Sequence, residues 1–117
     1  TRDGSCIRDY VHVSDIADAH IAALERTFGA TMGAPHEIIN LGTGNGVSVL
    51  EAIAAFEKVS GQKLNYEMGP RRAGDVEAVW SDTGRSRTLL GWEAKRSLEE
   101  MMRSAWAWER HCLEVNR

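Results

Sequence analysis

Apolar and polar residues alternate from Cys6 to Val13, a period of two that predicts a short strand. Arg8 and Asp9 interrupt it, on opposite faces if the segment is extended. Ser14 is a good N-cap, and Asp15 and Asp18 suit the positive end of a helix. Ile16, His20, Ala23, Leu24, Thr27 and Phe28 recur at helical spacing, which predicts a helix over about residues 15 to 28 ended by Gly29. A small-residue loop through Gly33, Ala34 and Pro35 leads to Glu37–Leu41, a β-branched run expected to form a buried strand. Ser48 and Glu51 make a capping box for a helix carrying Leu50, Ile53, Ala54 and Phe56 and stopping near Gly61. Residues 63–67 read as another strand, and Asp82 caps a short helix over 83–90 ended by Gly91, with Trp92 packing beyond it. A second capping box, Ser97 and Glu100, opens a helix to about Cys112 with Leu98, Met101, Met102, Ala105 and Trp106 as its apolar stripe and Trp108 to one side.

The stretch between the third predicted strand and the short helix, Met68 to Asp82, carries the most chemistry. Pro70 sets its own φ and pushes Gly69 toward an extended shape, so the stretch is a loop. Arg72 offers a planar fork of donors that fits a phosphate, and Arg71 adds a second charge. Asp75 is an acceptor-only carboxylate suited to hydroxyls such as those of a ribose. The loop reads either as a nucleotide clamp or as a solvated polar turn. The Gly42–Gly46 turn, lying between a strand and a helix and followed some twenty residues later by Glu67, imitates a dinucleotide-binding unit. Its spacing is G-x-G-x-G, and Val47 stands where a third glycine belongs, so a tight strand-to-helix turn is the better account.

The chain has 117 residues, enough for one domain with a modest core, and a formal net charge of −3 with both signs interspersed. That balance points to no nucleic-acid or membrane partner. No apolar run approaches the ~20 residues of a membrane span. The polar start, Thr1-Arg2-Asp3-Gly4, is no signal peptide and begins in mid-pattern, as a fragment would. Cys6 and Cys112, without C-x-x-C spacing, read as free thiols of a reducing, cytoplasmic environment. The four histidines are scattered without zinc spacing, so no metal site is expected.

Four segments together resemble UDP-glucose (UDP-galactose) 4-epimerases, of the extended short-chain dehydrogenase/reductase family. They are Arg71-Arg72-Ala73-Gly74-Asp75 followed by Trp80-Ser81-Asp82; Ile7 to Asp15; Asn40-Leu41-Gly42-Thr43-Gly44; and Leu90-Gly91-Trp92 followed by Ser97-Leu98-Glu99-Glu100 and Trp106-x-Trp108. Order and spacing agree over nearly the whole chain, which would be the C-terminal third of such an isomerase. The resemblance implies an α/β fold: the C-terminal, substrate-binding part of a Rossmann-type NAD-dependent enzyme, with short strands and about four helices. Residues 10–47 would complete the edge of the dinucleotide-binding domain and 48–117 form the substrate lobe.

The resemblance also implies a UDP-hexose substrate, with Arg8 and Arg72 on the diphosphate and Asp75 on the uridine ribose. Val79 matches the position beside the sugar where the family places a tyrosine or a small residue. Neither Tyr10 nor Tyr66 begins the family's Tyr-x-x-x-Lys pair, and the family's NAD fingerprint lies outside this chain. The expectation is therefore a nucleotide-sugar grip with no catalytic residue, inactive alone, binding no NAD by itself, and able to form a homodimer through exposed apolar faces. A fragment of a related nucleotide-sugar dehydratase or decarboxylase, or a non-catalytic binding module, are the alternatives.

Overall fold

Where helices begin is decided by capping side chains, and the computed structural model, which describes residues 1–29 and 36–116, contains four of them. In chain order the elements are β1 (Ile7–Arg8), α1 (Val13–Phe28), β2 (Val47–Ser48), α2 (Val49–Ser60), α3 (Gly84–Leu90) and α4 (Leu98–Val115). Both capping boxes form: Ser48 and Ser97 accept from the backbone of Glu51 and Glu100, whose carboxylates accept in return. Gly61 and Gly91 end α2 and α3 at φ 69° and 60°, where an L side chain would be strained. Gly29 ends α1 in an extended conformation instead.

Two caps differ from expectation. The N-cap of α1 is His12, not Ser14: its Nδ1 accepts from the Ser14 amide at 3.0 Å. The ring is buried, and its Nε2 lies 2.9 Å from Ser104 Oγ on α4, which fixes the orientation that makes Nδ1 the acceptor. At α3 the N-cap position is Thr83, without a side-chain bond; Asp82 Oδ1 accepts from Gly84 N at 2.9 Å from one residue further back.

β1 is the hinge of the sheet. It pairs antiparallel with β2, Ile7 opposite Ser48 and Arg8 opposite Val47. On its other edge Ile7 N donates to Glu77 O at 2.9 Å and Ile7 O accepts from Val79 N at 3.1 Å, a parallel bridge centred on Ala78. The expected strands at Glu37–Leu41 and 63–67 do not form among the described residues. A strand is a pairing, and no described segment runs alongside either one; Ile38 is exposed rather than buried. Arg26 of α1 anchors the first segment instead, through a two-pronged contact to Glu37 at 2.6 and 2.9 Å. The expected loop through Gly33, Ala34 and Pro35 lies outside the described residues.

α1 packs on α3 and α2 on α4. Phe56 and Trp106 meet edge to face at 5.5 Å and 85°, a geometry worth ~0.5–1.5 kcal/mol beyond the area it buries. Leu98, Met101, Met102 and Trp106 are half-buried as the stripe predicts, but Ala105 and Trp108 are exposed. On α1 the covered row is Asp15, Ala19 and Arg26, while Leu24 and Phe28 of the predicted face stand exposed beside Val13 and Ile21. The buried apolar side chains among the described residues are Ile7, Ala19, Ala52 and Trp92, a thin core. The radius of gyration, 17.4 Å, exceeds the ~13 Å usual for this length.

The turn after α3 is tied to α1 mainly by Asp15, with Asp18 adding a contact to Arg96 at 3.1 Å. Asp15, 1% exposed, accepts from Lys95 N at 3.2 Å and Arg96 N at 3.0 Å, and pairs with the Arg96 guanidinium at 2.5 Å. Trp92 Nε1 donates to Asp15 O at 2.9 Å, so the expected packing of Trp92 comes with a hydrogen bond. Burial pushes the Asp15 carboxyl up, but its bonds from Arg96 and Lys95 outweigh that and hold its pKa below the ordinary value. No helix among the described residues is long and apolar enough to cross a membrane. Cys6 and Cys112 are free, half-buried thiols.

Candidate functional site

The parallel bridge at Ala78 delivers the loop 68–82 to β1 and so joins residues far apart in sequence. Arg8 leaves the strand with Nη1 on Ile7 O at 2.8 Å and Nη2 on Asp75 Oδ1 at 3.1 Å. The other oxygen of Asp75 accepts from Arg72, Nε at 3.3 Å and Nη2 at 3.2 Å. Gly74, at φ 83°, makes the turn that allows this, closed by Asp75 N to Arg72 O at 3.3 Å. Arg8 and Asp75 are mostly covered, with side chains 30% and 23% exposed, whereas that of Arg72 is 85% exposed. Arg8 thus pairs with Asp75, not with its neighbour Asp9.

Arg71 turns the other way, to Glu77 Oε1 at 2.8 Å and Asp75 O at 3.1 Å. A cavity of about 310 Å³ opens here, walled by Met68–Arg72, Asp75 and Glu77 on one side and Gly4–Cys6 on the other. The second wall is shaped by Asp3, whose carboxylate accepts from Ser48 and Ser5; the Ser48 bond above all lowers its pKa to about 2. Three of the four predicted site residues, Arg8, Arg72 and Asp75, therefore meet in one cluster. Val79 is half-exposed, and the register that sets Ile7 against Ala78 places it alongside Arg8.

The group that positions this cluster is Asp9, which sequence reasoning treated only as a break in a strand. Its Oδ1 accepts from Thr43 N at 2.9 Å and Thr43 Oγ1 at 2.6 Å. Its Oδ2 accepts from Gly44 N at 3.0 Å and Ser81 N at 3.1 Å. β1, the glycine turn and the end of the arginine loop are thereby held on one carboxylate. Partial burial raises its pKa, but the bonds from Thr43, Ser81 and Gly44 prevail and hold it below the ordinary carboxylate value. No local signal in the residues points to this role, because the donors come from segments 34 and 72 residues away.

The same bonds decide what the glycine turn does. A Cβ at Gly42 would lie 2.6 Å from Ser81 Cβ, and one at Gly46 2.5 Å from Ile7 Cγ2 and 2.9 Å from Trp80 Cε3. The turn is glycine-rich because β1 and the arginine loop press on it. The amides of Thr43 and Gly44, which a dinucleotide's phosphates would need, already donate to Asp9. The turn does not fit an NAD pyrophosphate.

Residues 2–105 match the family model described as GDP-mannose 4,6 dehydratase. A UDP-glucose 4-epimerase of Cyamopsis tetragonoloba is 53% identical over 108 residues, 92% of this chain and 30% of that protein. A UDP-glucose 4-epimerase structure from Stenotrophomonas maltophila, with bound NAD and formylated UDP-arabinopyranose, superposes with a TM-score of 0.91 at 39% identity, over 98% of this chain and 33% of its own. One from Bifidobacterium longum, in complex with NAD+ and UDP, gives 0.85 at 38% identity, over 95% and 32%. The chain thus spans about a third of the length of the proteins it matches.

The Asp9 network has a pH signature. A depressed folded-state pKa stabilises the fold above the unfolded value of ~3.9, and that contribution is lost as pH falls through the folded value. Asp9→Asn, whose amide would face N–H donors, is expected to cost roughly 1.5–3 kcal/mol at pH 7. The difference from the unmodified chain should shrink toward pH 3. Urea unfolding of both proteins across this range checks it; a difference independent of pH contradicts it.

Proposed function

Because the chain belongs to the GDP-mannose 4,6 dehydratase family, we propose that it supplies the nucleotide grip of a UDP-hexose 4-epimerase, interconverting UDP-galactose and UDP-glucose. The single observation that carries this reading is the meeting of Arg8, Arg72 and Asp75, 67 residues apart at the extremes, with Arg72 and Asp75 lining one cavity. Its UDP-glucose 4-epimerase relatives, about half identical over nearly all its residues, supply the substrate class. A second reading, a nucleotide-sugar dehydratase, is favoured only by the description of the family model.

In the proposal Arg8 and Arg72 bind the diphosphate and Asp75 the uridine ribose. Charge-assisted bonds to phosphate contribute ~1.5–3 kcal/mol each, so the nucleotide end carries the affinity. An epimerase that turns its sugar between two faces must hold that sugar loosely, and so draws its binding energy from the part remote from the reacting carbon. The hydride chemistry is assigned to elements outside these residues, since the Gly42–Gly46 turn does not fit the cofactor. The unpaired extended segment Glu37–Leu41 and the exposed apolar row of α1 support the division at residue 47: residues 10–47 lie against a dinucleotide-binding domain, and 48–117 form the substrate lobe.

Three outcomes are expected. Arg72→Ala weakens UDP itself by roughly 1.5–3 kcal/mol, and Arg71→Ala weakens it less, because Arg71 faces Glu77. Calorimetric titration with UDP decides this; equal losses, or none at Arg72, sink the assignment. The purified 117-residue chain, having no Tyr-x-x-x-Lys, converts no UDP-galactose even with NAD supplied. Sustained turnover in a coupled assay overturns that.

The third outcome concerns Val79, half-exposed alongside Arg8. A valine there leaves room for the 2-acetamido group of a UDP-N-acetylhexosamine, and an overfilled pocket costs ~1–3 kcal/mol. Val79→Tyr, made in the enzyme of the relatives' length, should lower kcat/KM for the acetylated sugar about 5- to 100-fold and spare UDP-galactose. Equal handling of both sugars by the variant shows that Val79 is not the gate.

A further inference from the structure

The anion seat of the clamp is already occupied by the protein's own carboxylate. Asp75 lies between two guanidiniums with one oxygen on each, Oδ1 on Arg8 at 3.1 Å and Oδ2 on Arg72 at 3.2 Å. Arg71 is matched in the same way by Glu77 at 2.8 Å, so each of the three arginines of the loop and strand has an acidic partner. Asp75 has the most to lose when an anion arrives. Its carboxylate is largely covered, and Arg8 and Arg72 are the side chains that donate to it. A phosphate that takes those two arginines leaves a covered carboxylate without donors, a state that costs free energy.

Resting on the clamp reading above, we propose that Asp75 is a selectivity filter that makes the site reject bare diphosphates and accept nucleoside diphosphates. A bare diphosphate competes with Asp75 for the arginines and returns nothing to it. A ribose brings hydroxyl donors along with the diphosphate and can satisfy the carboxylate at the moment the arginines leave it. Discrimination then comes from the unpaired acceptor that the wrong ligand leaves behind, more than from extra attraction to the right one. The mobility needed is unequally distributed. Arg72 stands mostly in solvent and can swing, while Arg8 is held at its other nitrogen by Ile7 O, so there it is the Asp75 carboxylate that turns away.

The test uses the 117-residue chain, with inorganic pyrophosphate and UDP as probes, and heteronuclear NMR titration to read weak binding at Arg8 and Arg72. Asp75→Asn, nearly the same shape without the charge, should bind pyrophosphate about fivefold or more tightly than the unmodified chain, since one repelling charge beside the anion is gone. UDP should gain less or lose, so that the preference for UDP over pyrophosphate falls by about tenfold. Asp75→Glu, which keeps the charge, should continue to bind pyrophosphate weakly, and it carries the test if the asparagine variant does not fold.

Unchanged or weaker pyrophosphate binding by Asp75→Asn, or equal gains for both probes, overturns the filter and leaves the clamp standing. Tight pyrophosphate binding by Asp75→Glu overturns it as well. Failure of UDP to perturb Arg8 and Arg72 in the unmodified chain overturns the clamp reading itself.

Discussion

The carboxylate of Asp9 is the interaction on which the rest of the structure depends. Four donors from two segments converge on it, and they hold the glycine turn and the arginine loop against the segment that continues β1. The residue before Asp9 is Arg8, the last of β1. One dipeptide therefore fixes the scaffold with its second side chain and reaches the candidate site with its first. The glycines of the turn follow from the same constraint, because side chains at positions 42 and 46 would occupy the space filled by Ser81, Ile7 and Trp80. The turn that imitates a dinucleotide-binding motif is shaped by packing.

In the proposed clamp the charges of the site are arranged to be exchanged. Exposed ion pairs contribute little to stability, and Arg72 and Arg71, mostly in solvent, add little to the fold through their carboxylate partners. In the proposed clamp those pairs would hold the guanidiniums near the positions where they meet the ligand. The buried pairing of Asp15 with the turn at Lys95–Arg96 is of the other kind. It combines backbone and side-chain donors on a carboxylate 1% exposed, and it ties α1 to the segment that opens α4.

Much of this was legible in the residues, and what was not has a common cause. Capping boxes and helix-ending glycines are local signals, so Ser48 with Glu51, Ser97 with Glu100, Gly61 and Gly91 set the boundaries where expected. The contact of Arg72 with Asp75 was also local, three residues apart on one turn. Asp9, Asp15 and His12 were not legible, because each bonds across long sequence distances, and a polar residue does not announce which distant donor it will meet. α1 is apolar on two sides, and periodicity alone does not say which side finds a partner. Glu37–Leu41 has the composition of a strand, but a strand needs a neighbour, and none among the described residues lies beside it.

The central claim is that Arg8 and Arg72 exchange the Asp75 carboxylate for a diphosphate. A crystal structure of the chain soaked with UDP tests this most directly. The account predicts the diphosphate between the two guanidiniums, both of them more than 4 Å from Asp75, with the ribose hydroxyls in their place and the Asp9 bonds unchanged. A UDP bound elsewhere, or one bound here with both arginines still on Asp75, would contradict it.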